Sequence, residues 1–117
     1  MEELLRRIEH LLLEEYDIVV DYDSAYEDSY YHDSCLIEMN SSQTAESCLC
    51  GLLHEASHAI LGHASGTEDD VLNMELSAWE YGKLLALSLG IPLPESYDEE
   101  SRISIKKYKR YLEREGA

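Results

Sequence analysis

A chain of 117 residues, 44% hydrophobic and 29% charged, has the balance of one globular domain over 1–117, which excludes a disordered polymer and a two-lobed enzyme with a deep cleft. Its 25 acidic residues against 9 basic ones give a net charge of −16, which repels a phosphate backbone and excludes nucleic acid as an expected partner. No run reaches the ~18 apolar residues of a membrane span, so no membrane partner is expected. Residues 1–10 read as a charged amphipathic segment and not as a signal peptide. With no export signal, Cys35, Cys48 and Cys50 fit reduced thiols in a cytoplasmic setting.

Leu4, Leu5, Ile8, Leu11 and Leu12 recur at three- and four-residue spacing. This predicts a helix over 2–15, with Glu2 and Glu3 at the positive end of its dipole. Ile18-Val19-Val20 predicts a strand over 17–21. The acidic, tyrosine-rich stretch 23–33 has no clear period and reads as a connection, and 35–39 predict a second short strand. Ser41 or Ser42 offers an N-cap for a long helix reaching about His63. Its apolar face runs Ala45, Leu49, Leu52, Leu53, Ala56 and Ile60, and Gly62 is placed to end it. Ser65-Gly66-Thr67-Glu68 resembles a capping box for a helix over 67–89, which Gly90 and Ile91-Pro92-Leu93-Pro94 stop. Ser96-Tyr97-Asp98-Glu99 opens a last amphipathic helix carrying Ile105, Tyr108 and Leu112. The order α-β-β-α-α-α predicts a small α+β domain with a two- or three-stranded sheet.

The segment that carries chemistry is His54-Glu55-Ala56-Ser57-His58. Residues four apart on a helix share a face, so both imidazoles can reach one ion. Zinc takes nitrogen ligands in a tetrahedral set, and a catalytic site leaves one position for water. Glu55 follows the first histidine directly and is placed to take a proton from water activated there. In a chain with this histidine and glutamate content, the pattern arises by chance only ~0.03 times.

A third ligand is required. Antiparallel packing of the helix after the 64–67 connection would bring acidic residues alongside. The chief candidates are Glu75 and Glu80, with Asp69 and Asp70 less favoured. Glu75 is preferred because Met74, Leu76 and Trp79 surround it with apolar groups, and a buried carboxylate needs a partner. Glu80, beside Tyr81 and Gly82, reads as a supporting or solvated group. His63 lies five residues after His58, about 500° of rotation along a continuous helix. That leaves it off the ligand face and assigns it to helix-end packing.

With these residues set out, His54-Glu55-x-x-His58-x-x-Leu61-Gly62-His63 followed by Glu75-x-x-Ala78-Trp79 resembles the gluzincin-type zinc metallopeptidases of the ImmA/IrrE family and their phage-encoded relatives. It is also similar to the single-domain minigluzincins. Leu36-Ile37-Glu38-Met39-Asn40 matches the apolar-Asn step that leads into the metal-binding helix of those families. The likeness spans roughly 34–82. It implies a zincin-like fold, Zn2+ held by His54, His58 and Glu75, and Glu55 as general base in the hydrolysis of a peptide or protein substrate. It further implies that the strand at 35–39 is the edge on which an extended substrate lies, and that part of the chain can block the metal. The chain departs from the first family in lacking a helix-turn-helix segment and in having Ser77 where relatives often carry another acidic residue.

Cys50 shares the metal-facing side of the helix, but a buried structural thiol is the plainer reading. Cys48 is placed in the core, and Cys35 on the expected substrate strand. Tyr30, Tyr31, His32 and Tyr81 qualify by chemistry to stabilise an oxyanion, and none is singled out. Trp79 reads as core, and Lys106, Lys107, Lys109 and Arg110 as a solvated basic face. The expected function is zinc-dependent peptide hydrolysis. The alternatives are a catalytically silent zinc domain that binds or regulates a protein partner, and a metal-free helical interaction module. Nothing in the sequence assigns an oligomeric state.

Overall fold

The computed structural model describes residues 1–63 and 68–116, with the side chains of 68–70, 115 and 116 left undescribed. Among the described residues the chain is α+β, with four α-helices and a three-stranded mixed sheet. Helix α1 spans Glu2–Tyr16 and is followed by β1, Val19–Ser24, and β2, Ser29–Tyr31. A 3-10 turn over His32–Ser34 leads to β3, Leu36–Asn40. Helices α2, Ala45–Ile60, α3, Glu68–Leu89, and α4, Tyr97–Gly116, complete the order. No described helix is long and apolar enough to cross a membrane.

Helix α1 buries Ile8 and Leu12 and stops at Asp17, which takes the left-handed conformation at φ 56°. Its N–H returns to the carbonyls of Leu12 and Leu13, and aspartate is among the few residues that tolerate this turn. In β1 the even positions Val20, Tyr22 and Ser24 face inward. The strand pairs in parallel with β3, which buries Ile37 and Met39 completely. On its other side β3 pairs antiparallel with β2, so the sheet order is β1-β3-β2.

Two expectations are corrected here. The stretch 23–33 is not a plain connection: it holds the end of β1 and all of β2. Strand β3 is not an edge, because it is hydrogen-bonded on both sides. The free edge on that side of the sheet belongs to β2.

Helix α2 begins at Thr44 and not at Ser41 or Ser42. The reason is local. Asn40 Oδ1 accepts the Ser42 N–H at 2.8 Å, and Asp28 Oδ1 accepts the Asn40 N–H at 2.8 Å and the Gln43 side-chain amide at 2.9 Å. These bonds fold residues 40–43 into a turn that competes with helix. Thr44 then caps α2 by accepting the Ser47 N–H at 3.1 Å. Thr44→Ala is expected to lower unfolding stability by about 1 kcal/mol in urea titrations, and Ser42→Ala to leave it unchanged.

From Cys48 to Ser57 every residue of α2 is buried. The other elements close around it, with α3 along its length and α1, the sheet and α4 covering the rest. The helix ends at Ile60, short of His63, and Gly62 at φ +73° turns the chain back so that the His63 N–H reaches the His58 carbonyl at 2.9 Å. Helix α3 likewise ends against Gly90 at φ +68°. Tyr97 at the start of α4 is fully buried and donates its hydroxyl to the Trp79 carbonyl at 2.6 Å. A Cβ on Gly82 would collide with that hydroxyl, so the absence of a side chain at 82 lets α4 seat against α3. The suggested capping box at 65–68 lies outside the described residues.

Candidate metal centre

Helical spacing puts His54 and His58 on one face of α2, and α3 lays Glu75 across them. His54 Nε2 and His58 Nε2 are 3.1 Å apart. Glu75 Oε2 is 2.7 Å from the first and 3.1 Å from the second. Around an ion bonded at 2.0–2.1 Å, tetrahedral ligand atoms stand ~3.3–3.4 Å apart. To take an ion the two 3.1 Å separations need to open by ~0.2–0.3 Å and the His54–Glu75 one by ~0.6–0.7 Å. Together His54, His58 and Glu75 could hold a metal ion, and the two nitrogens and one carboxylate oxygen suit a borderline cation such as zinc. Glu80 is exposed on α3 and takes no part. The side chains of Asp69 and Asp70 lie outside the described residues.

Apolar packing fixes this geometry. The His54 ring stacks on Trp79, with centroids 4.1 Å apart and planes 20° from parallel. Trp79 follows Glu75 by one turn of α3, so one helix supplies both the carboxylate of the triad and the platform beneath the His54 ring. The indole face also suits an imidazole that acquires positive character on metal binding. Trp79 is buried, as expected, but it touches the site as well.

His63 is outside the converging triad and sits at the helix end, where it makes a contact that the sequence did not indicate. Because α2 ends at Ile60, the rotation along a continuous helix does not apply to it. The turn at Gly62 brings His63 Nδ1 to 2.9 Å from His58 Nδ1. A histidine that ligates through Nε2 carries its proton on Nδ1, so with a metal on Nε2 His58 would donate to His63, a contact that would set the tautomer and orientation of its ring.

The electrostatics follow from burial. Burial alone would raise the Glu75 carboxyl, but hydrogen bonds from His54 and His58 prevail and hold it far below the usual carboxylate range. Burial lowers the His54 pKa, favouring the neutral form that a metal needs. Glu55 is pushed well above the carboxylate range, first by burial and then by the charges of Glu75 and Asp28, while the Tyr30 backbone N–H opposes the rise. Its Oε2 stands 3.9 Å from His54 Nε2. Protons compete with metal for imidazole nitrogens, and the lowered His54 pKa moves its part of that competition below the ordinary imidazole value of about 6.5, so metal affinity is expected to fall on acidification with the His54 share of the loss arriving last. Competition with a chelator as pH is lowered measures it.

The three groups open onto a cleft of about 1330 Å³, larger than the ~300–1,000 Å³ typical of small-ligand pockets. Residues 27–34, including β2, form one wall. Helix α4 lines the cleft through Ile103, Ser104, Lys107, Tyr108 and Tyr111. Of the four oxyanion candidates, Tyr30, Tyr31 and His32 line the cleft and Tyr81 does not. Tyr108 was not singled out by the sequence. Its hydroxyl pKa is raised by burial and by the Glu75 carboxylate beside it. Of the basic cluster, Lys107 reaches the cleft, and all four residues are exposed.

The cysteines lie apart from the ligands. Cys50 is fully buried, faces the Ser96 hydroxyl at 3.8 Å, and has its thiol pushed up to about 12 by burial. Cys48 is pushed up to about 11, also by burial. Cys35 is exposed in a left-handed turn.

No family model, curated protein or solved structure matches the chain. Function is therefore read from the geometry of His54, His58, Glu75 and Glu55 themselves.

Proposed function

We propose that the chain is a zinc-dependent peptidase of the gluzincin kind, in which His54, His58 and Glu75 hold the metal and Glu55 is the general base. The observation that carries this reading is the convergence of two imidazole nitrogens and one carboxylate oxygen within 3.1 Å of one another, with a second carboxylate 3.9 Å away. When bound, zinc supplies Lewis acidity and makes water a nucleophile near neutral pH. Glu55 accepts the proton of that water and hands it to the leaving amine. Its raised pKa in the metal-free chain suits a group that must hold a proton between those two steps, and a cation nearby lowers that pKa again.

An extended peptide has the free edge of β2 to pair with, in place of the strand at 35–39 expected earlier. Tyr108, which lines the same cleft from α4, would donate its hydroxyl to the oxygen on which negative charge develops. The cleft walls carry Glu27, Asp33 and Glu100 against Lys107, which favours substrates rich in Lys or Arg. The three free cysteines fit a cytoplasmic setting.

The test is digestion of a peptide library by the zinc-loaded protein, with Glu55→Gln as control. Cleavage by the wild type alone supports the reading. The alternative is a silent zinc domain in which Tyr108, lining the same cleft from α4, covers Glu75. That alternative predicts full zinc occupancy with the library intact.

A further inference from the structure

We propose that Asp28 is a positioning residue for the metal centre, its Oδ2 accepting the Nδ1–H of His54. The inference rests on the metal reading above and not on catalysis. An imidazole that turns Nε2 to a metal must carry its proton on Nδ1. For His58 that proton has His63 as its acceptor. For His54, Nδ1 is buried and has no hydrogen-bond partner among the described residues. Buried donors are rarely left so, and metal-bound histidines nearly always give the second N–H to a carboxylate, a carbonyl or water.

Asp28 supplies a carboxylate at the right place. It lies just before β2, half-buried on the cleft wall. Its Oδ1 is committed, accepting from the Asn40 N–H and the Gln43 amide. Its Oδ2 accepts no hydrogen bond among the described residues, and it rests on α2 where a side chain at position 51 would begin: a Cβ on Gly51 would collide with it. Position 51 is three residues before His54, and Cβ atoms at that spacing are ~5–6 Å apart on one helix face. Helical side chains lean toward the N-terminus and cover the preceding turn, so the His54 ring leans over the turn where Oδ2 lies. Asp28 and His54 are close enough to feel each other's charge. A glycine buried in the middle of α2 weakens the helix. Its place here is explained by the room it leaves for this carboxylate.

The paired carboxylate fixes the Nδ1–H tautomer and makes the ligating nitrogen more basic. Asp28 thus has two separable duties. Oδ1 ties down the turn before α2, and Oδ2 orients the first metal ligand. Asp28→Asn separates them, because the amide oxygen can still serve Asn40 and Gln43 while an NH2 group cannot accept from His54. Gly51→Ala displaces the carboxylate from the other side, leaving Asp28 itself intact.

The probe is zinc alone, with affinity measured by chelator competition on the full chain. Each single variant is expected to bind ~10–100-fold more weakly than wild type, and the double variant no more weakly than the worse single one. The zinc-loaded wild type is expected to show a solvent-protected His54 Nδ1–H proton by NMR, and zinc-loaded Asp28→Asn to lack it, with thermal unfolding of the metal-free proteins alike. Wild-type affinity in Asp28→Asn, or fully additive losses in the double variant, overturns the assignment while leaving the metal centre standing. A wild type that binds no zinc overturns the metal centre and this inference together. Zinc binding without peptide cleavage removes the proposed activity and leaves the inference to be decided by the affinities.

Discussion

Glu75→Ala is expected to weaken zinc binding on the order of a hundred- to a thousandfold, and Glu80→Ala to leave it unchanged. Structural zinc sites with four protein ligands bind with ~10–16 kcal/mol, or ~2.5–4 kcal/mol per ligand, which sets the scale of the loss. Glu80 is exposed on the same helix and is not among the converging groups, so it controls for a mere change of charge on α3. Glu75→Gln adds a second measurement. It keeps the volume of the side chain and one acceptor, but it loses the charge that His54 and His58 hydrogen-bond. The folded-state pKa of Glu75 is depressed, so its carboxylate stabilises the metal-free fold above the unfolded value of about 4.5, and that contribution is lost as pH falls from there. Thermal unfolding in a chelator should therefore place wild type above Glu75→Gln at pH 7, with the gap closing on acidification. Equal zinc affinity in wild type and Glu75→Ala would remove Glu75 from the site and throw the third ligand open.

How far the sequence reaches depends on whether a feature is local. His54 and His58 are one helical turn apart, so periodicity alone puts them on one face, and α2 keeps that face over its full length. Glu75 is distant in the chain, but its apolar neighbours signalled a buried carboxylate, and the protein buries it against the histidines. The contact of His63 with His58 was not legible, because it depends on where α2 stops. Two further residues of helix would carry it away from His58, and the turn at Gly62 returns it. Strand β2 is three residues long. Nothing within Ser29–Tyr31 distinguishes it from the acidic stretch around it, because its existence depends on pairing with β3. Asp28 and Tyr108 reach the site from opposite ends of the chain, and no spacing rule connects residues 28 and 108 to position 54. The nearest sequence clue to Asp28 was a glycine in the middle of an otherwise well-formed helix at 51, which asks what lies against it.

Glu55→Gln bears most directly on the proposed chemistry. Peptide cleavage is expected to fall ~10²–10⁴-fold, the usual contribution of a positioned general base, with zinc stoichiometry and affinity within about twofold of wild type, since Glu55 is not among the three converging ligands. A second, metal-free readout has the opposite sign from that of Glu75. Burial, aided by the charges of Glu75 and Asp28, raises the folded-state pKa of Glu55. The protonated carboxyl is therefore tolerated at low pH, and stability present below about pH 4.5 is lost as pH rises through the folded value. Glutamine has no proton to give up. In a chelator, Glu55→Gln should match wild type near pH 4.5 and exceed it increasingly toward pH 7, the advantage levelling off above the folded pKa. The two measurements separate two roles. A variant that gains metal-free stability and keeps its zinc but still cuts peptides would leave Glu55 a buried acid with no part in the reaction, and the proton would have to travel through another group on the cleft wall, of which Tyr108 beside Glu75 is the first to substitute. Loss of cleavage with zinc retained places the proton transfer on Glu55, one residue along α2 from the ligand it serves.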